Sequence, residues 1–201
     1  MPKKFSDSER EYLRKRLIDV TEECLLQYGL KKTTVDEIVN RTKIPKGTFY
    51  LFYASKELLF FDVFLAFHDR IHKDFFVLLE ELENEVTPEK VTDLIFSLYK
   101  KVENSFIFSL FVNGELEVLF RKLPKEAIET HIKVDDLMIK QLLCPLLGLE
   151  EDKAEVFSAA LRAVFTSMVY RREVGVDVFD EALKIMINGV VLQMFKKGDV
   201  A

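Results

Sequence analysis

Apolar residues recur at three- and four-residue steps along the chain, the period of an amphipathic helix. Leu13, Leu17, Val20, Cys24, Leu25 and Tyr28 form the first such stripe. Asp7 or Ser8 is placed to cap its start and Gly29 to end it, because glycine accepts the left-handed backbone that closes a helix. Thr33 or Thr34 caps a short second helix ending near Arg41, and Glu37, three residues after Thr34, completes a capping box. Pro45 opens a third helix, where its missing N–H costs nothing. Ser55 caps a long fourth one, from Lys56 to about Glu83, and Thr87-Pro88-Glu89-Lys90 starts a fifth that runs to about Glu103. A sixth, from Phe106, breaks at Asn113-Gly114, and Pro124 opens a seventh that stops before Pro145. Two more cover about 151–173 and 178–197, parted by Gly175. No segment alternates over a strand length and no repeat is visible. The pattern predicts an all-α protein of about nine helices, with residues 1–54 as one domain and 55–201 as a second.

The three short helices at roughly 8–28, 34–41 and 45–51 have the layout of a helix-turn-helix with a supporting first helix. Val35, Ile38 and Val39 are positioned to pack the second helix on the first, and Ile44 to plug the turn. A helix that enters the major groove must present small or polar groups to base edges, and Lys46, Gly47 and Thr48 meet that need. Thr34 and Ser55 stand at helix starts, where free N–H groups favour phosphate oxygens, and Lys56 adds a charge beside Ser55. Thr33 is a candidate contact with them.

Thr34-Val35-Asp36-Glu37-Ile38-Val39, followed by Pro45-Lys46-Gly47-Thr48-Phe49-Tyr50-Leu51-Phe52-Tyr53-Ala54-Ser55-Lys56-Glu57-Leu58-Leu59, resembles the DNA-binding domain of TetR-family regulators over about residues 13–59. The resemblance implies phosphate contacts from Thr34, Tyr50 and Lys56, with base reading by the third helix. Three positions depart from the family pattern. Lys43 stands where glycine is usual, at a turn position that favours positive φ, and costs about 1 kcal/mol there. Pro45 replaces a frequent serine. Phe52-Tyr53 shifts the polar aromatic by one place, which removes a phosphate contact from position 52.

Net charge of -5 on 201 residues argues against nucleic acid when taken alone. Its distribution points the other way: residues 1–60 hold twelve Lys and Arg against nine Asp and Glu, while the remainder is acidic. The start is charged rather than a signal peptide, no apolar run approaches the ~20 residues that span a bilayer, and the two cysteines sit in helical patterns. These features predict a cytoplasmic protein with no membrane contact and no disulfide framework.

The final helix is apolar around most of its circumference, which a single core-facing side does not explain. With the small residues of the helix before it, it predicts a homodimer built on Ala160, Val164, Met168, Met186, Val190 and Met194. Eighteen Phe and no Trp are concentrated towards the middle of the chain. Most serve packing, and Phe64, Phe67, His68, Ile71, Phe75, Phe106 and Phe111 are candidates to line a pocket for a hydrophobic effector. His68 and His72 have a spacing that can hold a metal, with His131 and Asp135 as further ligands, but such a pair is more often a polar face. No metal or other cofactor is therefore expected. No phosphate loop, His-Glu-x-x-His or nucleophile elbow is present, so an enzyme is not expected. The predicted function is a homodimeric repressor that binds double-stranded DNA at a pseudo-palindromic operator and leaves it when a small molecule binds. The alternative is a helical ligand-binding protein or enzyme with an unused DNA-binding-like domain.

Overall fold

A computed structural model describes residues 5–80, 86–126 and 151–196. Its elements are α1 (Asp7–Lys32), α2 (Val35–Thr42), α3 (Lys46–Phe52), α4 (Lys56–Glu80), α5 (Pro88–Glu103), α6 (Phe106–Val112), α7 (Glu115–Phe120), α8 (Glu151–Ser167), a 3-10 turn (Met168–Tyr170), α9 (Arg171–Val174) and α10 (Phe179–Phe195). No strand occurs among the described residues, so the chain is all-α as its periodicity predicts. The helix expected to open at Pro124 and stop before Pro145 lies largely outside the described residues, as do His131, Asp135 and Cys144.

Packing divides the chain into two compact units, one of residues 1–73 and 104–123, the other of 74–103 and 124–201. The division expected at 54/55 follows the DNA-reading motif, whereas the first unit also takes in the early turns of α4 and all of α6 and α7. Its centre is apolar: Leu17 and Cys24 of α1, Ile38 of α2, Phe49 of α3 and Leu59 and Val63 of α4 are fully buried. Burying a side chain of the size of Phe49 contributes roughly 1.5–3 kcal/mol. Phe64 meets Phe120 edge to face with ring centroids 5.6 Å apart, and Phe67 meets Phe106 at 5.7 Å.

Helix ends in this unit follow local chemistry, with three corrections. Ser6, rather than Asp7 or Ser8, caps α1: its hydroxyl accepts the Glu9 amide while Glu9 returns to the Ser6 amide at 2.8 Å, a complete capping box. Gly29, with φ 73, breaks α1 near its end, and one more turn follows to Lys32. Thr34 caps α2 through the Glu37 amide at 3.2 Å. The reciprocal half of the expected box is not formed, because the Glu37 carboxylate accepts from Arg41 at 2.6 Å instead. Lys43 closes α2 at φ 57 and ψ 42, the left-handed backbone that its place in the turn predicts.

In the second unit α5 and α8 both pack on α10. Phe179, Leu183, Ile187, Val191 and Met194 form the buried stripe of α10, and Val91, Leu94 and Ile95 that of α5. Asn188 of α10 donates to the Thr92 hydroxyl of α5 at 3.1 Å, and the Tyr99 hydroxyl donates to the Leu161 carbonyl at 2.7 Å. At one end, Arg171 donates to Glu103 at 2.8 Å and to Asp180 at 2.7 Å, while Lys100 pairs with the same two carboxylates.

Candidate DNA-reading surface

α2 and α3 are held at their angle by fixed contacts. Ile44, in the turn, donates its amide to the Val39 carbonyl at 3.1 Å, and Phe49 anchors α3 in the core with no exposed surface. Arg41 of α2 reaches back to α1, donating to the Tyr28 hydroxyl at 2.6 Å and to Gln27 at 3.0 Å. Pro45 precedes α3 with φ -62 and makes no side-chain cap, as its replacement of a serine predicts.

With the core face so fixed, Lys46, Gly47, Tyr50 and Leu51 of α3 are exposed and Thr48 is half-buried. An added Cβ at Gly47 would meet nothing within 4 Å among the described residues, so a base edge can come close to the backbone there. Tyr50 packs its ring edge to face on Phe49 at 5.2 Å and is 51% exposed. The Lys46 ammonium lies 2.8 Å from Asp36 of α2, and that hydrogen bond raises its pKa above the usual lysine value, so it remains charged at neutral pH. Exposed ion pairs of this kind are weak, which leaves the side chain able to exchange Asp36 for a stronger anion.

The flanking candidates separate into two kinds. Thr34 is exposed at the start of α2, and Ser55 caps α4 by accepting the Leu58 amide at 3.3 Å. Lys56 donates to the Thr33 carbonyl at 2.8 Å, with its ammonium 5.4 Å from the Phe60 ring centre. Thr33 is the correction in this set: its side chain is fully buried and its hydroxyl donates to the Gly29 carbonyl at 2.7 Å. It supports Lys56 from beneath and presents no side chain outward.

Tyr53 accounts for the shifted aromatic. It is 4% exposed, and its hydroxyl donates to Asp62 at 2.9 Å and accepts from Arg14 at 3.3 Å. Arg14 closes the triangle on Asp62 at 2.9 Å. Burial pushes the phenol pKa well above the ordinary tyrosine value. The hydroxyl therefore joins α1 to α4 within the buried part of the unit. Phe52, its neighbour, lies against Phe5 and under the Arg10 guanidinium.

The other candidate residues are placed as follows. Phe64, Phe67 and Phe106 are buried in the first unit, with His68, Ile71 and Phe111 half-buried; Phe75 belongs to the second unit. The His68 ring stacks on Phe64 and stands 4.0 Å from that of His72. No group of three or more His, Cys, Asp or Glu is placed to hold a metal ion among the described residues. Of the residues expected at a dimer contact, Met168 and Met194 are 1% and 2% exposed and fill the subunit's own core. Met186 is exposed, and Ala160, Val164 and Val190 are half-buried. The outward stripes run instead through Ile185, Gly189 and Leu192 on α10 and through Val156, Ala159 and Ala163 on α8. Leu51 carries no signal in the sequence: it reads as one more apolar helix position, yet it is 55% exposed on α3.

Residues 17–63 match the family model of bacterial regulatory proteins of the tetR family. Two uncharacterized HTH-type transcriptional regulators of Bacillus subtilis (strain 168) are similar along the chain. YhgD is 28% identical over 141 residues, which is 60% of this chain and 69% of its own. YvdT is 24% identical over 188 residues, 87% and 94% of the two chains. A solved TetR transcriptional regulator from Rhodococcus sp. RHA1 shares the fold at a TM-score of 0.58 and 14% identity, covering 96% of this chain and 100% of its own. No helix among the described residues is long and apolar enough to cross a membrane.

Proposed function

We propose that this chain, whose residues 17–63 match the family model of bacterial regulatory proteins of the tetR family, is a regulator of that family and acts as a homodimeric repressor released from its operator by a small apolar ligand. The observation that carries DNA reading is the surface of α3: one helix face buried through Phe49, and Lys46, Gly47, Tyr50 and Leu51 exposed on the rest. Thr34, Ser55 and Lys56 flank it with helix N-termini and a charge, the groups that bind phosphate.

Dimerisation is supported by the two outward stripes on α8 and α10. Ile185 and Leu192 are 66% and 43% exposed, and Val156 is 67% exposed. Two such helices from each of two subunits form a four-helix interface, and two short half-site readers held together gain affinity and specificity. Ligand release is supported by α4, a single helix that begins at Lys56 and carries Phe64, Phe67, His68 and Ile71 on its later turns. A ligand against those turns tilts the helix and moves the recognition helices off the ~34–36 Å spacing of successive major grooves.

Selection of bound duplexes from a random pool, followed by titration of the winner at several salt concentrations, tests the reading. A palindromic winner and a linear fall of log affinity with log salt support it. Binding without sequence preference contradicts it.

A further inference from the structure

We propose that Leu51 is a specificity-determining residue that reads the 5-methyl groups of thymine, so that each half-site of the operator holds a thymine at a fixed position. The inference rests on α3 being the DNA reader. Phe49 fixes the inward direction of α3, and at about 100° per residue Gly47 and Leu51 both fall within about 20° of the opposite direction. The centre of the outward face is thus a glycine and a leucine, with Lys46 and Tyr50 to one side and Thr48 to the other. An added Cβ at Gly47 would meet nothing within 4 Å among the described residues, which leaves Leu51 as the one side chain at the centre of this face.

The surroundings of Leu51 are apolar on one side, and on the other it borders the charged residues Asp7, Arg10, Glu11 and Arg14 of α1. It borders an open groove of about 610 Å³ whose walls include Phe5, Ile44, Pro45 and Thr48. Pro45 brings no N–H to this wall, and the Thr48 side chain carries a methyl beside its hydroxyl. Of the base edges in the major groove, only thymine presents an apolar group, its 5-methyl. Leucine offers neither donor nor acceptor, so it cannot read guanine, adenine or cytosine by hydrogen bonding. Lys43 and Lys46, both exposed, adjoin Ile44 and Pro45 in the chain, so lysines flank these two groove residues in sequence, which suits a polyanion.

Deoxyuridine differs from thymidine by that methyl alone and gives a direct test. In the operator obtained by selection, each thymine is replaced in turn by deoxyuridine at both symmetric positions, and affinity is measured for wild type, Leu51→Met and Leu51→Ala. Wild type should lose about fourfold per methyl at one or two positions in each half-site, the value of one buried methyl-sized group. Leu51→Met should keep that loss, and Leu51→Ala should bind thymine and deoxyuridine alike there. Leu51 is exposed, so the fold tolerates both substitutions, and the wild-type series needs neither. Indifference of wild type to every replacement overturns the inference while leaving DNA reading by α3 intact. So does a loss that persists in Leu51→Ala, since another side chain then reads the methyl. Failure to select any sequence overturns the reading on which the inference rests.

Discussion

The Glu115 carboxylate of α7 accepts the amide of Leu30 at 2.9 Å, and the same oxygen sits 3.1 Å from where a side chain on Gly29 would begin. Gly29 breaks α1 with positive φ, which frees the Leu30 amide from the helix, and Glu115 satisfies it from the other end of the unit. Glu115→Ala leaves a part-buried donor without its acceptor and should cost about 1–3 kcal/mol. Glu115→Gln keeps a carbonyl there and should recover most of it. Urea unfolding of the two variants measures the difference; equal losses would mean that charge, not the hydrogen bond, matters.

Lys43 is the one non-glycine residue with positive φ among the described residues. Lys43→Gly should stabilise the protein by about 1 kcal/mol, raising the melting temperature by roughly 2–4 °C for a chain of this size. Calorimetry decides it. A lower melting temperature would show that the stem of Lys43 contributes more than its backbone costs.

Thr21 is fully buried in α1 and its hydroxyl has no hydrogen-bond partner among the described residues. Thr21→Val exchanges that hydroxyl for a methyl of similar size and should stabilise by about 1 kcal/mol. Denaturant midpoints of wild type and variant give the sign, and destabilisation would contradict the packing around α1.

Asp180 has its pKa lowered by the hydrogen bond from Arg171 and further by Lys100. A carboxyl whose folded pKa lies below its unfolded value adds stability above the unfolded pKa, near 3.9, and that stability is lost as pH falls through the folded pKa. Asp180→Asn should therefore lower stability at neutral pH and flatten its decline below about pH 4. Unfolding curves from pH 3 to 7 test this, and parallel pH profiles would remove Asp180 from the account.

The proposed dimer contact on the outward stripes of α8 and α10 can be told from a core position. Ile185→Asp and Leu192→Asp should give folded monomers, because both side chains are exposed within the subunit, whereas Met194→Asp should unfold it. Sedimentation combined with circular dichroism distinguishes the outcomes. An intact dimer in the first two variants would place the interface elsewhere.

Much of the fold is legible in the sequence because helices announce themselves by period and punctuation. Pro45, Ser55 and the Asn113-Gly114 break all fall at helix ends, Gly29 breaks α1 one turn before its end, and Lys43 has the backbone that its position predicts. Phase is harder. The last helix is apolar on nearly every side, so period alone does not tell which stripe its own subunit buries, and Met194 goes to the core, as does Met168 in the turn after α8. Thr33 and Thr34 are identical in type, and only the local turn at Gly29 sends one inward. Tyr53 is ambiguous for a related reason: its partners Arg14 and Asp62 are 39 and 9 residues away, a relationship that spacing does not reveal.

If α3 reads bases while the start of α4 holds the backbone, substitutions in the two helices must differ in kind. The most direct measurement is binding of Thr48→Ala and Lys56→Ala to the selected operator and its single-base variants across a salt series. Thr48→Ala should lose about 1–3 kcal/mol of discrimination at one base position with its salt slope unchanged. Lys56→Ala should weaken every sequence alike and reduce the slope by about one. Equal loss of discrimination in both variants would contradict the assignment of reading to α3.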